Sequence, residues 1–194
     1  MTMPRRRTAS DQVSAALLRA AETVLDRDGV AAVTVRSVAQ EAGVAPMGVY
    51  NRFTNKDGLL TALALRAFDG LAAAIEVDPF GGTPADRLRR SAQGYRRFAL
   101  AHPARYALIF AAGSPAADPA SPVTARGREV FGILVGLVAH LPLRRGLDPV
   151  EAAQAFWNAQ HGAVTLETAG LGQTPDTADI FERTIDIVMR GLQT

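Results

Sequence analysis

A chain of 194 residues with a formal net charge of +2 has room for one generous domain, or for a small module joined to a larger one. The absence of cysteine excludes a disulfide framework, a thiol nucleophile and a cysteine zinc site, and makes a reducing compartment, the cytoplasm, the unforced expectation. Charge is unevenly placed: residues 1–54 carry seven arginines against five acids, whereas residues 61–194 carry thirteen of each.

The opening "MTMPRRRTAS" has a basic cluster, Arg5, Arg6 and Arg7, but no apolar segment behind it, so it does not read as a secretory signal. That cluster is either a solvated tail or an arm that attracts DNA. Behind it, Val13, Leu17, Ala20, Val24 and Leu25 fall on one face of an amphipathic helix spanning 10–28, and Gly29 stops it. Val35, Val38, Ala39 and Ala42 give a short helix over 35–42 that starts near Thr34 and ends at Gly43, with Val44 plugging the core. Pro46 opens another short helix, 46–53, and Lys56, the only lysine, opens a long one over 56–76.

Further on, Thr83-Pro84-Ala85-Asp86 is a cap, a proline and a first-turn acid, and predicts a helix over 85–101 with Leu88, Ala92, Tyr95 and Ala99 inward. His102-Pro103 and Ser121-Pro122 start helices over 103–112 and 122–139, separated by "AAGSPAADPASP", the one plausible flexible loop. The longest apolar run, "VFGILVGLVAHLPL", is broken by His140 and Pro142 and falls short of the roughly 20 residues that span a bilayer, so no membrane is expected. Asp148-Pro149 starts a helix over 149–168, and Thr174-Pro175 one over 175–191 in which Ile180, Thr184, Ile185 and Val188 repeat at helical spacing. The reading is all-α, with about nine helices, no alternating strand and no repeat period.

The segment "VRSVAQEAGVAPMGVYNRFTNKDGLL" carries the chemistry. Two short helices joined by a glycine turn make a helix-turn-helix. In the second helix Val49 and Phe53 can face the core, which leaves Pro46, Met47, Gly48, Tyr50, Asn51 and Arg52 on the side that would enter a major groove. Gly48 lets a phosphate or base come close, the Tyr50 hydroxyl suits phosphate, Asn51 suits an adenine edge, and Arg36 can reach guanine or phosphate. Lys56 heads a helix whose first N–H groups favour an anion. Each side chain alone could equally be a packing or solvated residue.

Together, Thr34, Arg36, Val38, Ala39, Gly43, Val44, Tyr50, Phe53, Asn55, Lys56, Leu59 and Leu60 follow the order of the DNA-binding domain of the tetracycline-repressor (TetR) family, which this block resembles. It departs at Val49, where leucine is usual, and at Ala45, where serine often caps the recognition helix, so a weaker cap is expected there. The resemblance implies a DNA-binding domain over 1–54 and an effector-binding and dimerisation domain over 55–194. It further implies a homodimer that binds a palindromic double-stranded operator and is released by a small molecule, and a four-helix dimer interface from the last two helices. Ala152, Ala155, Ala159, Ala163, Ile180, Ile185 and Val188 would supply that interface. "FWNAQHGAVTLE" is similar to a subclass of C-terminal domains marked by Trp, His and Gly, here Trp157, His161 and Gly162.

Trp157 and His161 stand four apart on one helical face. They belong either to a core, with the imidazole satisfied by a backbone carbonyl, or to an effector cavity with Phe98, Tyr106, Phe110 and Phe131 that takes an apolar or amphipathic molecule. The three histidines, at 102, 140 and 161, lack metal-site spacing, and no G-x-S-x-G, Walker or dinucleotide motif is present. No enzyme, metal or cofactor is therefore expected. The alternatives are a helical small-molecule-binding protein without operator function, and a ligand-dependent activator.

Overall fold

The structure is a computed structural model and describes residues 9–193; Arg5, Arg6 and Arg7 lie outside the described residues. Among the described residues nine α-helices follow one another: α1 (Ala9–Asp28), α2 (Val35–Ala42), α3 (Pro46–Phe53), α4 (Lys56–Ile75), α5 (Pro84–Ala101), α6 (Pro103–Phe110), α7 (Pro122–Val138), α8 (Pro149–Thr168) and α9 (Thr177–Leu192). Short 3-10 turns at Val30–Ala32 and Pro115–Ala117 punctuate them, and the one strand-like feature among the described residues is an isolated bridge between Leu143 and Gln193. The fold is all-α, as the periodicity predicts.

The chain forms two compact units that do not follow its linear order: one joins Met1–Ala67 to Ala104–Thr124, the other joins Phe68–Pro103 to Ala125–Thr194. In the first unit α1 packs on α2 and α2 on α3. Leu17, Ala20, Val24 and Leu25 are buried as expected, but Val13 is 48% exposed, because it sits in the opening turns of α1, before the buried stretch begins. Charged groups tie the other helices of this unit to α1. Arg66 of α4 donates to Glu22 at 2.7 Å, and Arg105 of α6 donates to Asp26 at 3.0 and 2.6 Å. The loop after α6 is not slack: Ser114 caps its 3-10 turn, and the Thr124 hydroxyl donates to the Ala116 carbonyl at 2.9 Å.

The second unit is built on α5, α8 and α9. Thr83 and Asp86 form a reciprocal capping box at the start of α5, whose Leu88, Ala92, Tyr95 and Ala99 are all buried. α8 begins on its Asp148 cap, and α9 begins at Thr177 rather than Pro175, because the Asp176 carboxylate accepts from the Asp179 N–H at 2.8 Å and sets the cap there. The inward stripe of α9 is Phe181, Ile185, Met189 and Leu192; Ile180 is exposed. Arg96 makes a two-pronged bond to Glu167 at 2.8 and 2.6 Å, and the Thr177 hydroxyl donates to the same carboxylate at 2.6 Å. Hydrogen bonding from Arg96 holds the Glu167 carboxyl below its usual range, so this three-helix junction stays ionised near neutral pH.

α4 is long and apolar enough to cross a membrane by length and composition. Its Leu59, Leu63, Ala67, Phe68, Leu71 and Ile75 are buried within the protein, which accounts for the apolar character.

Candidate nucleic-acid interface and effector residues

The helix-turn-helix is set by local chemistry. The Thr34 hydroxyl accepts from the Ser37 N–H at 3.0 Å while Ser37 Oγ accepts from the Thr34 N–H at 2.9 Å, so α2 starts in a closed capping box. Gly43 ends α2 in the left-handed region at φ 66°, where a side chain would be strained. Ala45 makes no side-chain cap, as its sequence leads one to expect, and Pro46 at the first position of α3 supplies the preset φ. Val44 does not plug the core: it is 41% exposed, because the turn after Gly43 carries it outward.

α3 buries Val49 completely and Phe53 in part, which turns the rest of the helix outward. Met47 is 65% exposed and Tyr50 50% exposed; Pro46, Asn51 and Arg52 are exposed as well, and Gly48 is half-buried. Thr34, Arg36 and Lys56 are exposed too, and Arg36 and Lys56 have no ion pair among the described residues. The Thr34 hydroxyl is engaged in capping α2. Two acids of this region are paired internally, Asp28 with Arg27 at 2.9 Å and Glu41 with Arg27 at 3.0 Å. The outward face is thus apolar, amide, hydroxyl and cationic in character, which suits a phosphate-edged groove.

The joint between α3 and α4 is tight. Thr54 has φ 60° and ψ −48°, and the Asn55 N–H reaches back to the Phe53 carbonyl at 2.5 Å, a three-residue γ-turn at a non-glycine residue. Asn55 Oδ1 accepts from the Gly58 N–H at 2.9 Å and caps α4. A Cβ on Gly58 would lie 2.2 Å from the Phe53 carbonyl oxygen. Gly58 therefore permits the spacing between Tyr50 and Lys56, a role that residue spacing alone does not reveal.

In the second unit Phe131, Trp157 and His161 come together, with ring centroids at 6.0 Å for the first pair and 5.7 Å for the second. Tyr95, not selected from the sequence, completes the group: the Trp157 indole N–H donates to its hydroxyl at 3.3 Å, and that oxygen lies 2.8 Å from His161 Nδ1. Burial pushes the His161 imidazole below its ordinary protonation range, so it is neutral at pH 7 and Nδ1 can accept from Tyr95. A tyrosine hydroxyl, rather than a backbone carbonyl, is thus the partner of this nitrogen. Gln160, also on α8, is 4% exposed, and its Oε1 is the buried side-chain atom without a hydrogen-bond partner among the described residues. Phe98 lies against His102 with tilted rings 5.4 Å apart in the same unit, whereas Tyr106 and Phe110 belong to the first unit and meet edge to face at 4.9 Å.

A capped two-helix turn with a polar outward second helix, carried on an all-helical chain, defines a helix-turn-helix DNA-binding protein. Residues 17–63 match the model of the bacterial regulatory proteins of the tetR family, and residues 88–188 match that of the tetracyclin repressor-like C-terminal domain. The chain belongs to the TetR family of DNA-binding transcriptional regulators. It is 29% identical over 177 residues to an uncharacterized HTH-type transcriptional regulator of Mycobacterium tuberculosis, covering 90% of this chain and 77% of that one. Among solved structures it resembles a protein of unknown function from Rhodococcus sp. RHA1, with TM-score 0.83, 27% identity and all of both chains covered. The fold is also that of the transcriptional regulator FadR from Bacillus subtilis, solved in complex with stearoyl-CoA, with TM-score 0.70, 18% identity, and 93% of this chain and 100% of that one covered.

Proposed function

We propose that the protein is a ligand-responsive repressor that binds a palindromic operator as a homodimer in the cytoplasm and is released by a small apolar or amphipathic molecule. The outward face of α3, bracketed by the exposed cations Arg36 and Lys56, is the observation that carries this reading. Residues 1–54 serve as the DNA-binding domain and residues 55–194 as the effector and dimer part. Pro46, Met47, Gly48, Asn51 and Arg52 face the bases and their flanking phosphates; Tyr50, Arg36, Lys56 and the α2 start at Thr34 fix the helix on the backbone.

The dimer rests on α8 and α9. Ile180 and Ile187, on one face of α9, are 40% and 61% exposed, and Val150 and Leu166 of α8 are 52% and 53% exposed, apolar side chains that a lone chain leaves in water. Ala152 and Ile185, expected at that interface, are instead wholly buried in the chain's own core, so the exposed residues of these helices carry the contact. On the effector side, Phe98, Phe131, Trp157 and His161, all of the second unit, supply aromatic surface. The orphan Gln160 Oε1 offers an acceptor to a ligand donor or a water. The stearoyl-CoA bound by the FadR relative supports an effector with a long apolar part.

The test uses an operator fragment recovered with the protein itself. Tyr50→Phe and Lys56→Ala are expected to weaken binding across all sequences, and Lys56→Ala to reduce the slope of log affinity against log salt by about one. Unchanged affinity and slope in both variants would remove the phosphate-contact assignment.

A further inference from the structure

The turn before α3 and the first turn of that helix are apolar and stand in water. Val44 and Met47 are 41% and 65% exposed, and Ala45 and Pro46 between them are exposed too. No residue from Val44 to Val49 carries a side chain that donates a hydrogen bond, and the first polar side chain of α3 is Tyr50. Val44 Cγ2 lies 3.8 Å from the place a Cβ on Gly48 would take, so the valine lies against that glycine, the residue after Met47. The segment is also held. The Gly43 N–H donates to the Gln40 carbonyl at 3.2 Å and the Val44 N–H to the Ala39 carbonyl at 3.0 Å, the paired closure of a Schellman motif, and Pro46 presets the first φ of α3. A braced backbone has little freedom left to lose when its side chains are covered.

A duplex offers this end of α3 one apolar partner. The N-terminal residues of a recognition helix meet base edges in the major groove. There guanine and adenine show acceptors, adenine and cytosine show an amino donor, and the thymine 5-methyl is the apolar group. Valine and methionine gain by covering that methyl. Against a guanine or cytosine edge they lose, because they strip polar groups of water without replacing a hydrogen bond. Attraction and penalty thus select the same base. Asn51, four residues after Met47 and exposed on the same side of the helix, has the amide that pairs with adenine.

We propose that Met47 and Val44 are specificity-determining residues that read thymine 5-methyl groups, so that each operator half-site carries a thymine under the start of α3. The inference rests on the reading of α3 as the helix that enters the groove. It assigns the choice of base at this place to a methyl group, not to a hydrogen bond.

The test takes an operator recovered with the full chain and replaces its thymines by deoxyuridine, one symmetric pair of positions at a time. That exchange removes the methyl and leaves every hydrogen-bonding group in place. At one or two such pairs wild-type binding is expected to weaken by about fifteenfold, about fourfold for each half-site methyl, and at the others to change little. Met47→Ala and Val44→Ala alter exposed side chains and are expected to bind the thymine operator more weakly. At the position each reads, the thymine and deoxyuridine forms are then expected to bind within about twofold of one another. Met47→Leu keeps the apolar bulk and is expected to keep the discrimination, whereas a variant that had lost only its fold would weaken on both forms alike. The proposal is overturned if an enriched operator binds equally well in its thymine and deoxyuridine forms, or if discrimination survives unchanged in both alanine variants. Failure to enrich any sequence removes the reading of α3 itself and this inference with it, so the two failures are told apart.

Discussion

Gly94→Ala is expected to lower the stability of the protein by about 3 kcal/mol or more, and the melting temperature by roughly 6–12 °C, as read by thermal unfolding. The added Cβ would lie 1.8 Å from the Ala74 carbonyl oxygen and 2.8 Å from its carbon, so a Cβ fixed to one helix backbone meets the backbone of the other. Neither α4 nor α5 can relieve this by changing a rotamer; the helices must separate. Separation loosens the packing of Leu88, Ala92 and Tyr95, which are at most 3% exposed. Gly132→Ala, in α7 with open space around its added Cβ, is the control. It is expected to be neutral or to stabilise by up to about 1 kcal/mol through helix propensity. Equal melting temperatures for Gly94→Ala and wild type would show that α4 and α5 do not approach this closely.

The second large effect is functional. Gly58→Ala is expected to weaken operator binding on the order of tenfold to hundredfold while leaving the helical far-UV spectrum intact. Its Cβ would meet the Phe53 carbonyl oxygen at 2.2 Å, in the joint that Thr54 already holds at positive φ. α3 and α4 each keep their internal hydrogen bonds, so both helices survive. What changes is their relative register, and with it the distance from the Tyr50 hydroxyl to the Lys56 ammonium along a phosphate backbone. Loss of the Lys56 contact would also appear as a salt slope reduced by about one. If Gly58→Ala bound as tightly as wild type with the same slope, the rigid joint would have no part in DNA recognition.

The two short helices of the DNA-binding head are legible in the sequence to the residue, because their ends are decided locally by Thr34, Gly43 and Pro46. The start of α9 is less legible because Thr174-Pro175-Asp176 offers two caps in succession, and only the reach of Asp176 to the Asp179 N–H decides between them. Periodicity marks an apolar face but not how far a neighbour covers it. That is why Val13 and Val44 read as inward and stand 48% and 41% exposed. The outward side of α3 was recoverable because the buried Val49 and half-buried Phe53 fix its rotation. Tyr95 escaped notice as a partner of Trp157 and His161 because it lies more than sixty residues upstream and carries the same spacing as any core residue of α5. Gly58 and Gly94 escaped for a related reason: a close backbone approach leaves no trace in composition beyond the glycine itself.

The claim beneath all of this is that α3 reads a duplex at a fixed spacing set by a paired body. Selection of genomic fragments by the purified, ligand-free protein at moderate salt tests it most directly. The account predicts enrichment of a two-fold symmetric site whose half-sites are centred about 34–36 Å apart, one helical turn or a small multiple of it. Recovery of fragments with no sequence in common, bound no better than random competitor, would contradict it.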